Sequence, residues 1–479
     1  MRTQRWTLVV VCVATAMLML DIAVVNTALS RIADDLQTGL AGLQWVVDAY
    51  TLALAATVLT AGALADRLGR RKLFLIGLGV FTAASLGCAA AGHIAVLNSM
   101  RAVQGVGAAI MFAVSLALLA NAYPDVRQRA GALAAYGATI GASFAVGPLV
   151  GGALTSGLDW RWIFLSNLPI GILCIVATRA YVVESRDPAA RGIDWPGQIT
   201  LTGGLFLAVL ALLRGHEDGW TSALILGEAA GAVALLGAFV VVESRVAEPM
   251  LPLRLFRNRS FTGAQIAAFA ISGSFFAIFL YTTLYLQQIL GLSAIEAGLA
   301  YLPGTITMLF VSAATSTLGG RVPARVMVAG GIALVAAGMV LFTLAEVGSS
   351  WTVILPGAMV ALIGTGFFNP ALTAVALGTV PTDQSGVAAG VNDTFRQAGI
   401  AVGVAALGAL VPAQAAFGGS PQAYVDGLHE AFLAGAALAA VGAVAAWFLI
   451  SPHFGTAAPV PEEEVEALEG DFQPALVAA

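Results

Sequence analysis

Long apolar runs separated by short polar connections recur along nearly the whole chain. A helix needs about 20 apolar residues to cross a hydrocarbon core roughly 30 Å thick. Because lipid offers no partners to backbone N–H and C=O groups, each run of that length must be helical. The pattern predicts fourteen membrane spans, with both ends of each uncertain by a few residues, at 7–29, 44–64, 73–91, 95–120, 131–155, 162–183, 196–214, 222–242, 262–284, 297–318, 325–345, 351–379, 386–411 and 428–450.

Composition and charge agree with a membrane protein. Of the 479 residues, 59% are hydrophobic and 10% are charged, whereas a soluble domain carries about 25% charged residues. By these boundaries 16 of the 22 lysines and arginines fall on one side of the spans and three on the other. Basic loops stay in the cytoplasm, so both termini are predicted to be cytoplasmic. One lysine against 21 arginines, with abundant alanine and glycine, is typical of a GC-rich bacterium, so the bacterial inner membrane is the expected location.

A weak internal repeat predicts two halves. "LADRLGRR" (64–71) follows the second span and "LGGRVPAR" (318–325) follows the tenth, with Gly320 where the first copy has Asp66. Parallel repeats of this kind occur in secondary transporters. The predicted organisation is an N-terminal six-helix bundle (1–185), a central insertion with two extra spans (186–258), a C-terminal six-helix bundle (259–452) and an acidic, disordered cytoplasmic tail (453–479).

Two opposite charges lie inside predicted spans. At 1.5 Å per residue, Asp21 lies about 21 Å into the first span, roughly 9 Å short of its outer end. The fourth span runs the opposite way, and Arg101 lies about 9 Å below the same face. A buried charge in hydrocarbon usually faces a cavity or a partner. The two residues therefore reach the level that an ion pair would need.

Several motifs carry a family resemblance. "GALADRLGRRKLFL" (62–75) resembles the loop between helices 2 and 3 of the major facilitator superfamily. Other stretches are similar to motifs of its fourteen-helix drug:proton antiporters, in the same order along the chain: "LDIAVVNTALSRIADDL" (20–36), "QWVVDAY" (44–50), "RAVQGVGAA" (101–109), "GASFAVGPLVGGAL" (141–154) and "WRWIFLSNLPIG" (160–171). "NDTFRQAGIAVG" (392–403) supports the resemblance in the second half. The resemblance implies an all-α polytopic major facilitator fold, with two six-helix bundles plus two central extra helices, working as a monomer.

The loop after the second span is a candidate conformational latch. Its residues are Gly62, Asp66, Arg67, Gly69, Arg70 and Arg71. Glycine allows a tight turn, and Asp66 can pair with Arg70 or face the positive end of a helix. The resemblance implies a latch to the segment Gly386–Arg396 that stabilises the outward-open state. A purely topogenic basic loop is the alternative, but it explains the arginines and not Asp66.

The fifth span carries Gly147, Pro148, Gly151 and Gly152. Proline kinks a helix, and glycines four residues apart let helices approach closely. Ordinary helix packing would explain this pattern. The resemblance implies instead an antiporter motif, which marks exporters of the family.

The resemblance also implies a role for the buried charges. Asp21 would gain and lose the coupling proton and Arg101 would tune it, whereas a static ion pair between two helices is the alternative. Asp393 and Arg396 are three residues apart in the thirteenth span and are predicted to lie at the interface between the halves. Asp48, at the outer mouth of the second span, is a weaker candidate for coupling, and a rim position is the favoured interpretation.

A substrate cavity between the halves is implied by the family fold. Aromatic faces and amides suit large amphipathic or cationic ligands. The candidate lining residues are Asn26, Tyr50, Tyr281, Tyr285, Gln288, Phe367 and Asn369.

The motifs favour a secondary transporter over other classes. No phosphate loop, nucleotide fingerprint or clustered nucleophile and base indicates an enzyme, and neither a cofactor, a metal nor a nucleic-acid partner is expected. The leading hypothesis is a proton-coupled antiporter that exports hydrophobic or cationic drugs. A dedicated exporter of one endogenous metabolite, such as a self-made antibiotic, shares every motif. An uptake symporter and a non-transporting sensor are disfavoured by the fifth-span motif and by the retained charges, respectively.

Overall fold

The computed structural model describes residues 2–186, 192–318, 321–380, 384–412 and 419–452. These residues form fourteen long helices and no strand. The helices are α1 (Arg2–Leu36), α2 (Leu40–Leu68), α3 (Arg70–Ala89), α4 (Ile94–Ala122), α5 (Val126–Gly157), α6 (Trp162–Tyr181, broken at Ser166), α7 (Trp195–Asp218), α8 (Ala223–Arg245), α9 (Arg259–Ile289), α10 (Ala294–Leu318), α11 (Ala324–Phe342), α12 (Leu355–Gly378), α13 (Ser385–Gly408) and α14 (Pro421–Leu449). Each predicted span coincides with one of them, so the all-helical fold is confirmed.

Thirteen of these helices are long and apolar enough to span a membrane, by length and composition. The exception is α13, whose middle carries Asn392, Asp393, Arg396 and Gln397. The predicted acidic tail (453–479) lies outside the described residues, as does Gly320 of the second repeat.

The sides of the molecule are named here from the arginine distribution. The side of the turn between α1 and α2 (37–39) is called outer, and the side of the turn at Gly69 is called inner.

Two helix bundles build the molecule. Helices α1–α6 pack together as the first bundle and α9–α14 as the second. The two most extensive contacts between the bundles are those of α5 with α10 and of α2 with α13. These two contacts are called the α5–α10 seam and the α2–α13 seam. The space between the halves lies between them, at the centre of the protein.

The two extra helices form a hairpin on one flank of this centre. Helices α7 and α8 pack against each other, and α7 lies against both α2 and α13. Gln198 of α7 donates a hydrogen bond to the carbonyl oxygen of Ala56 at 2.8 Å. Farther out, the rings of Trp45 and Phe206 have centroids 5.9 Å apart. The hairpin thus covers the flank of the α2–α13 seam.

Large apolar side chains remain exposed around the bundle, as expected of a surface in contact with lipid. Val233, Phe310 and Phe448 are each at least 70% exposed. The hydrophobic pattern therefore does not separate core from surface in this chain, and the buried polar side chains are more informative.

Glycines bring α4 unusually close to its neighbours. A Cβ atom at Gly105 would lie 2.4 Å from the carbonyl oxygen of Tyr50, and one at Gly107 would lie 2.6 Å from the backbone nitrogen of Phe81. Only glycine permits such backbone contact between helices. This approach holds Arg101, one turn before Gly105, against α2.

Candidate functional site

The carboxylate of Asp21 is the centre of a buried polar network in the first bundle. Asp21 is 1% exposed. Its oxygens accept hydrogen bonds from the guanidinium of Arg101, from Nε2 of Gln104 at 2.8 Å and from Nδ2 of Asn167 at 3.0 Å. Side chains of α4 and α6 therefore converge on one carboxylate of α1. The structure brings Asp21 and Arg101 together, and their equal predicted depth is the level that such a pair needs.

Arg101 is 2% exposed and has several further partners. Its Nε donates to the carbonyl oxygen of Val46 at 3.0 Å, and its Nη1 donates to Oε1 of Gln104 at 2.8 Å. The guanidinium carbon lies 4.3 Å from the centre of the Tyr50 ring. A buried ion pair is stable only when its remaining donors and acceptors are also satisfied. These contacts provide that for Arg101.

A second layer of hydrogen bonds joins α3 to the network. The amide nitrogens of Gln104 and Asn167 reach Oγ of Ser85 at 2.8 and 3.3 Å. Every donor around Asp21 stabilises the ionised carboxylate. The network therefore joins Asp21 of α1 to side chains of α3, α4 and α6.

Sequence reasoning missed the amides in this network. Gln104 stands three residues after Arg101 and so on the same helix face, which is a readable signal. Asn167 and Ser85 carry no such signal, because only the packing of α3 and α6 brings them to Asp21.

The loop between α2 and α3 turns at Gly69, whose φ of 109° suits glycine. Asp66 accepts hydrogen bonds from Nε and Nη2 of Arg70 at 2.9 and 2.8 Å. This is the local pair considered from the sequence. Among the described residues, no hydrogen bond or ion pair joins Asp66 to the segment Gly386–Arg396. Of the other loop candidates, Gly62 has open space beside it and Arg67 is exposed.

Glu184, just beyond α6, is the partner of this loop that the sequence did not reveal. Its carboxylate accepts the backbone N–H groups of Arg71 and Lys72 at 3.0 and 3.1 Å, at the N-terminus of α3. Arg71 also donates to the carbonyl oxygen of Arg179 at 3.0 Å. A carboxylate is favourable at the positive end of a helix. The loop is thus held to the end of α6, within the same bundle.

The glycines of α5 face both halves of the protein. A Cβ atom at Gly147 would lie 2.4 Å from the side chain of Ala23, and one at Gly151 would lie 2.7 Å from the carbonyl oxygen of Val24, both on α1. A Cβ atom at Gly152 would lie 2.5 Å from the carbonyl oxygen of Ala294 on α10.

A glycine of α10 also comes into close contact with the backbone of α5. A Cβ atom at Gly298 of α10 would lie 2.4 Å from the carbonyl oxygen of Pro148. The outer part of the α5–α10 seam is therefore closed backbone to backbone.

A cavity of about 80 Å³ lies between the bundles. Helices α1, α2, α5 and α9–α13 contribute its walls. Among the described residues, no Asp, Glu, Lys or Arg lines it. The larger lining side chains are mostly aromatic: Phe144, Phe275, Phe276, Phe279, Tyr301, Met308 and Phe342. Pockets for drug-sized ligands have roughly 300 Å³ or more, so helices must move before such a molecule fits.

A π-helical turn shapes one wall of this cavity. The turn Ser272–Phe276 interrupts α9 and presents Phe275 and Phe276 to the cavity. Such turns occur frequently at functional sites of helices. A second π-helical turn, Tyr285–Ile289, ends α9.

Comparisons with known proteins agree with this geometry. The family model described as Major Facilitator Superfamily matches residues 11–404. The chain belongs to the major facilitator superfamily. It is similar to "Multidrug resistance protein Stp" of Mycobacterium tuberculosis (strain CDC 1551 / Oshkosh), with 36% identity over 86% of this chain and 76% of that protein. It is also similar to "Cephamycin export protein CmcT" of Amycolatopsis lactamdurans, with 35% identity over 90% of this chain and 89% of that protein.

The fold is also that of solved transporters. The human organic anion transporter MFSD10 superposes with a TM-score of 0.62 at 15% identity, over 92% of this chain and 99% of that one. The protein is therefore a major facilitator transporter with drug- and antibiotic-resistance relatives, and a multi-pass protein of the bacterial inner membrane.

The predicted cavity residues occupy different places in this transporter. Asn26 lines the cavity, whereas the other six candidates do not. Tyr50 stacks on Arg101. Tyr281 donates to the carbonyl oxygen of Val404.

The remaining candidates lie toward the ends or within the second bundle. Tyr285 donates to the carbonyl oxygen of Glu346 at 2.8 Å. Asn369 donates to the carbonyl oxygen of Thr365, one turn earlier in α12, at 3.2 Å. Gln288 and Phe367 are half-buried. The sequence could not assign these residues to the cavity, because it does not show which helix faces meet there.

Asp393 and Arg396 lie on α13, which takes part in the seam with α2. Among the described residues they form no ion pair, although they are close enough to interact electrostatically. Asp393 is 7% exposed and its Oδ2 has no hydrogen-bond partner.

Asp48 differs from its expected position. The sequence predicted a rim residue, but the side chain is 0% exposed. Its helix face turns toward the second bundle rather than toward water, which the linear position could not reveal.

Proposed function

We propose that this transporter is a proton-coupled antiporter that exports hydrophobic and cationic small molecules by alternating access. The observation that carries the proposal is the buried network around Asp21 and Arg101. A protonatable group joined to four helices can link proton binding to helix movement, and so can exchange an inward proton gradient for outward substrate movement.

The network extends beyond the ion pair between α1 and α4. Its amide donors come from α4 and α6, and both amides share Ser85 of α3. Protonation of Asp21 would remove the charge that all of these donors serve. Each charge state of Asp21 therefore favours a different packing of the first bundle.

The cavity supports the substrate class. Its walls are almost wholly apolar and aromatic. Such a surface binds hydrophobic molecules, and ring faces attract organic cations without any acidic side chain. The printed names of the relatives, which include multidrug resistance and cephamycin export, are consistent with an export direction.

The closed outer part of the α5–α10 seam supports alternating access. Gly152 and Gly298 allow backbone contact there, and the inner glycines of α5 (Gly131, Gly137 and Gly141) have no neighbour within Cβ distance. The outer part of this seam is therefore in close contact while open space lies beside the inner glycines of α5, as expected for one of two alternating states.

A dedicated exporter of one endogenous antibiotic is the second candidate. It is favoured by relatives whose printed names specify a single compound, such as cephamycin and tetracenomycin C. A substrate panel separates it from a multidrug exporter.

We also propose the organisation implied by the sequence, with bundles at 1–185 and 259–452, a hairpin insertion at 186–258, cytoplasmic termini and a monomeric unit. The two bundles and the flanking hairpin are consistent with these limits.

The test is efflux from proteoliposomes with an imposed pH gradient, measured against a panel of cations and amphiphiles. Asp21→Asn should reduce gradient-driven efflux to background while the purified protein stays folded. Asp34→Asn is the matched control, because Asp34 is an exposed acid of the same helix. Proton-driven efflux that survives in Asp21→Asn would contradict the assignment of Asp21.

A further inference from the structure

A second buried carboxyl group lies on α2. The side chain of Asp48 is 0% exposed, and neither carboxyl oxygen has a hydrogen-bond partner in the described part of the chain. An ionised carboxylate is not tolerated in an apolar interior without a partner, and it takes up a proton instead. In this conformation Asp48 is therefore neutral, whereas Asp21 has the donors that an ionised carboxylate needs.

The place of Asp48 is the outer part of the α2–α13 seam. One turn before it, Gln44 donates to the hydroxyl of Tyr281 at 2.8 Å, and a Cβ atom at Gly408 would lie 1.9 Å from the Gln44 amide nitrogen. Two turns after it, Thr394 of α13 donates to the carbonyl oxygen of Ala55 at 3.4 Å.

The two helices are antiparallel across this seam, so the stretch 401–405 lies opposite Asp48. Its sequence is "AVGVA", which offers neither charge nor side-chain hydrogen bond. Ala401 and Ala405 are both 0% exposed. The seam is thus closed around an uncompensated carboxyl group.

In the described part of the chain, no charged side chain forms an ion pair with Asp48. Tyr281 of α9 is close enough to interact with it electrostatically, but its hydroxyl is engaged by Gln44 and Val404. The guanidinium of Arg101 on α4 is directed to Asp21. Near the outer end of α7, Arg214 pairs with Asp218 of the same helix and with Glu228 of α8.

We propose that Asp48 is a proton-binding site of the transport cycle that controls the outer α2–α13 seam. The proposal rests on the proton-coupled antiport proposed above. When the seam is open, Asp48 takes a proton from the outer water, and the neutral carboxyl lets α2 and α13 close. Loss of that proton toward the inner side leaves a charge in the closed seam and drives the two helices apart again.

This arrangement gives the two aspartates different roles. The charge of Asp21 affects the packing of helices within the first bundle, and the charge of Asp48 affects closure of the seam between the bundles. A substrate loaded from the inner side is carried outward when Asp48 is ionised, which is the direction of an exporter.

Gradient-driven efflux tests the site with Asp48→Asn, a neutral variant of nearly the same shape. We expect substrate binding from the inner side to remain and gradient-driven efflux to fall at least about tenfold, because the variant imitates the protonated state permanently. Asp34→Asn, an exposed acid at the end of α1, should behave as the unmodified protein.

Labelling of the seam supplies an independent measurement. In a chain whose free cysteines Cys12, Cys88 and Cys174 are replaced, Ala405→Cys is exposed to a membrane-impermeant maleimide from the outer side. We expect labelling to rise as pH rises, since ionised Asp48 opens the seam. In the Asp48→Asn background, labelling should be low at every pH.

The outcomes separate this inference from the proposed function. If the unmodified protein shows no gradient-driven efflux, proton-coupled antiport itself is wrong. If it shows such efflux and Asp48→Asn shows it equally, only the role of Asp48 is wrong. Labelling of Ala405→Cys that is independent of pH in the otherwise unchanged chain also overturns the role, whether or not the Asn variant folds.

Discussion

The two bundles each consist of six consecutive helices, but they differ in which helices carry charged side chains. In the first bundle α1 carries Asp21, and α4 supplies Arg101 and Gln104 to it. Helix α9 holds the corresponding place in the second bundle, and it has no acidic or basic residue after Arg259 at its start. It contributes Phe275 and Phe276 to the cavity instead.

This difference supports a division of labour between the halves. Polar hydrogen bonds are directional and switch with charge, so the first bundle suits proton coupling. Apolar and aromatic contacts adapt to many shapes, so the second bundle suits binding of varied substrates. The inter-bundle seams must then transmit the state of one half to the other.

Arg101→Leu should have the largest effect, because it disrupts the charged network that distinguishes the first bundle from the second. It leaves the buried carboxylate of Asp21 without its cation, and breaking a buried pair costs about 3–5 kcal/mol in free energy of unfolding. Thermal unfolding of the purified protein measures this loss. The double variant Asp21→Asn/Arg101→Leu should recover much of the stability but none of the gradient-driven efflux. If the single variant is as stable as the unmodified chain, the pair does not organise the first bundle.

Gly152→Ala tests the junction between the bundles. Its new methyl group would meet the carbonyl oxygen of Ala294 at 2.5 Å, and overpacking of this kind costs about 1–3 kcal/mol. We expect slower efflux with substrate binding retained. Gly157→Ala, at a glycine of the same helix with open space beside it, is the control. Equal efflux rates for both variants would show that the α5–α10 contact is not part of the cycle.

Phe276→Ala tests the role of the second bundle in substrate binding. Loss of one ring face weakens binding of an organic cation by about 0.5–2 kcal/mol, so KM should rise while the proton dependence of efflux is unchanged. Phe448→Ala removes an equally large ring that is 72% exposed toward lipid. A changed proton dependence in Phe276→Ala, with KM unaltered, would argue against the division of labour.

Glu184→Gln should have the smallest effect. The carboxylate accepts two backbone N–H groups at the N-terminus of α3, and a charge at a helix end is worth about 0.3–1 kcal/mol. A slight fall in the unfolding temperature is expected, most visible at low salt. Glu430→Gln, an exposed acid of α14, should not change it. A large loss of efflux without loss of stability would assign Glu184 to the latch itself.

Much of the architecture could be predicted from the sequence. The succession of apolar runs predicted the number and order of the helices. The estimated depths of Asp21 and Arg101 placed both residues at one level in the membrane. The loop motif offered Arg70 as one of two partners for Asp66, and the pair forms across the turn at Gly69. These are local properties, or they follow from the thickness of the membrane.

The parts where the structure differs from these expectations depend on contacts between helices. Tyr285 and Asn369 were predicted to line the cavity, yet they hydrogen-bond elsewhere. Phe275 and Phe276 were missed, because a π-helical turn changes the face that they present. Asp48 was expected at the rim, yet the closed seam buries it.

The sequence by itself determined the class of the protein, its helix order and its family, because lipid forces apolar segments into spanning helices and motifs survive in linear form. Only the tertiary structure decided which polar side chains meet. A helical period states which residues share a face, but not which neighbour covers that face. For that reason the partners of Asp21 and the isolation of Asp48 emerge only when the helices are packed.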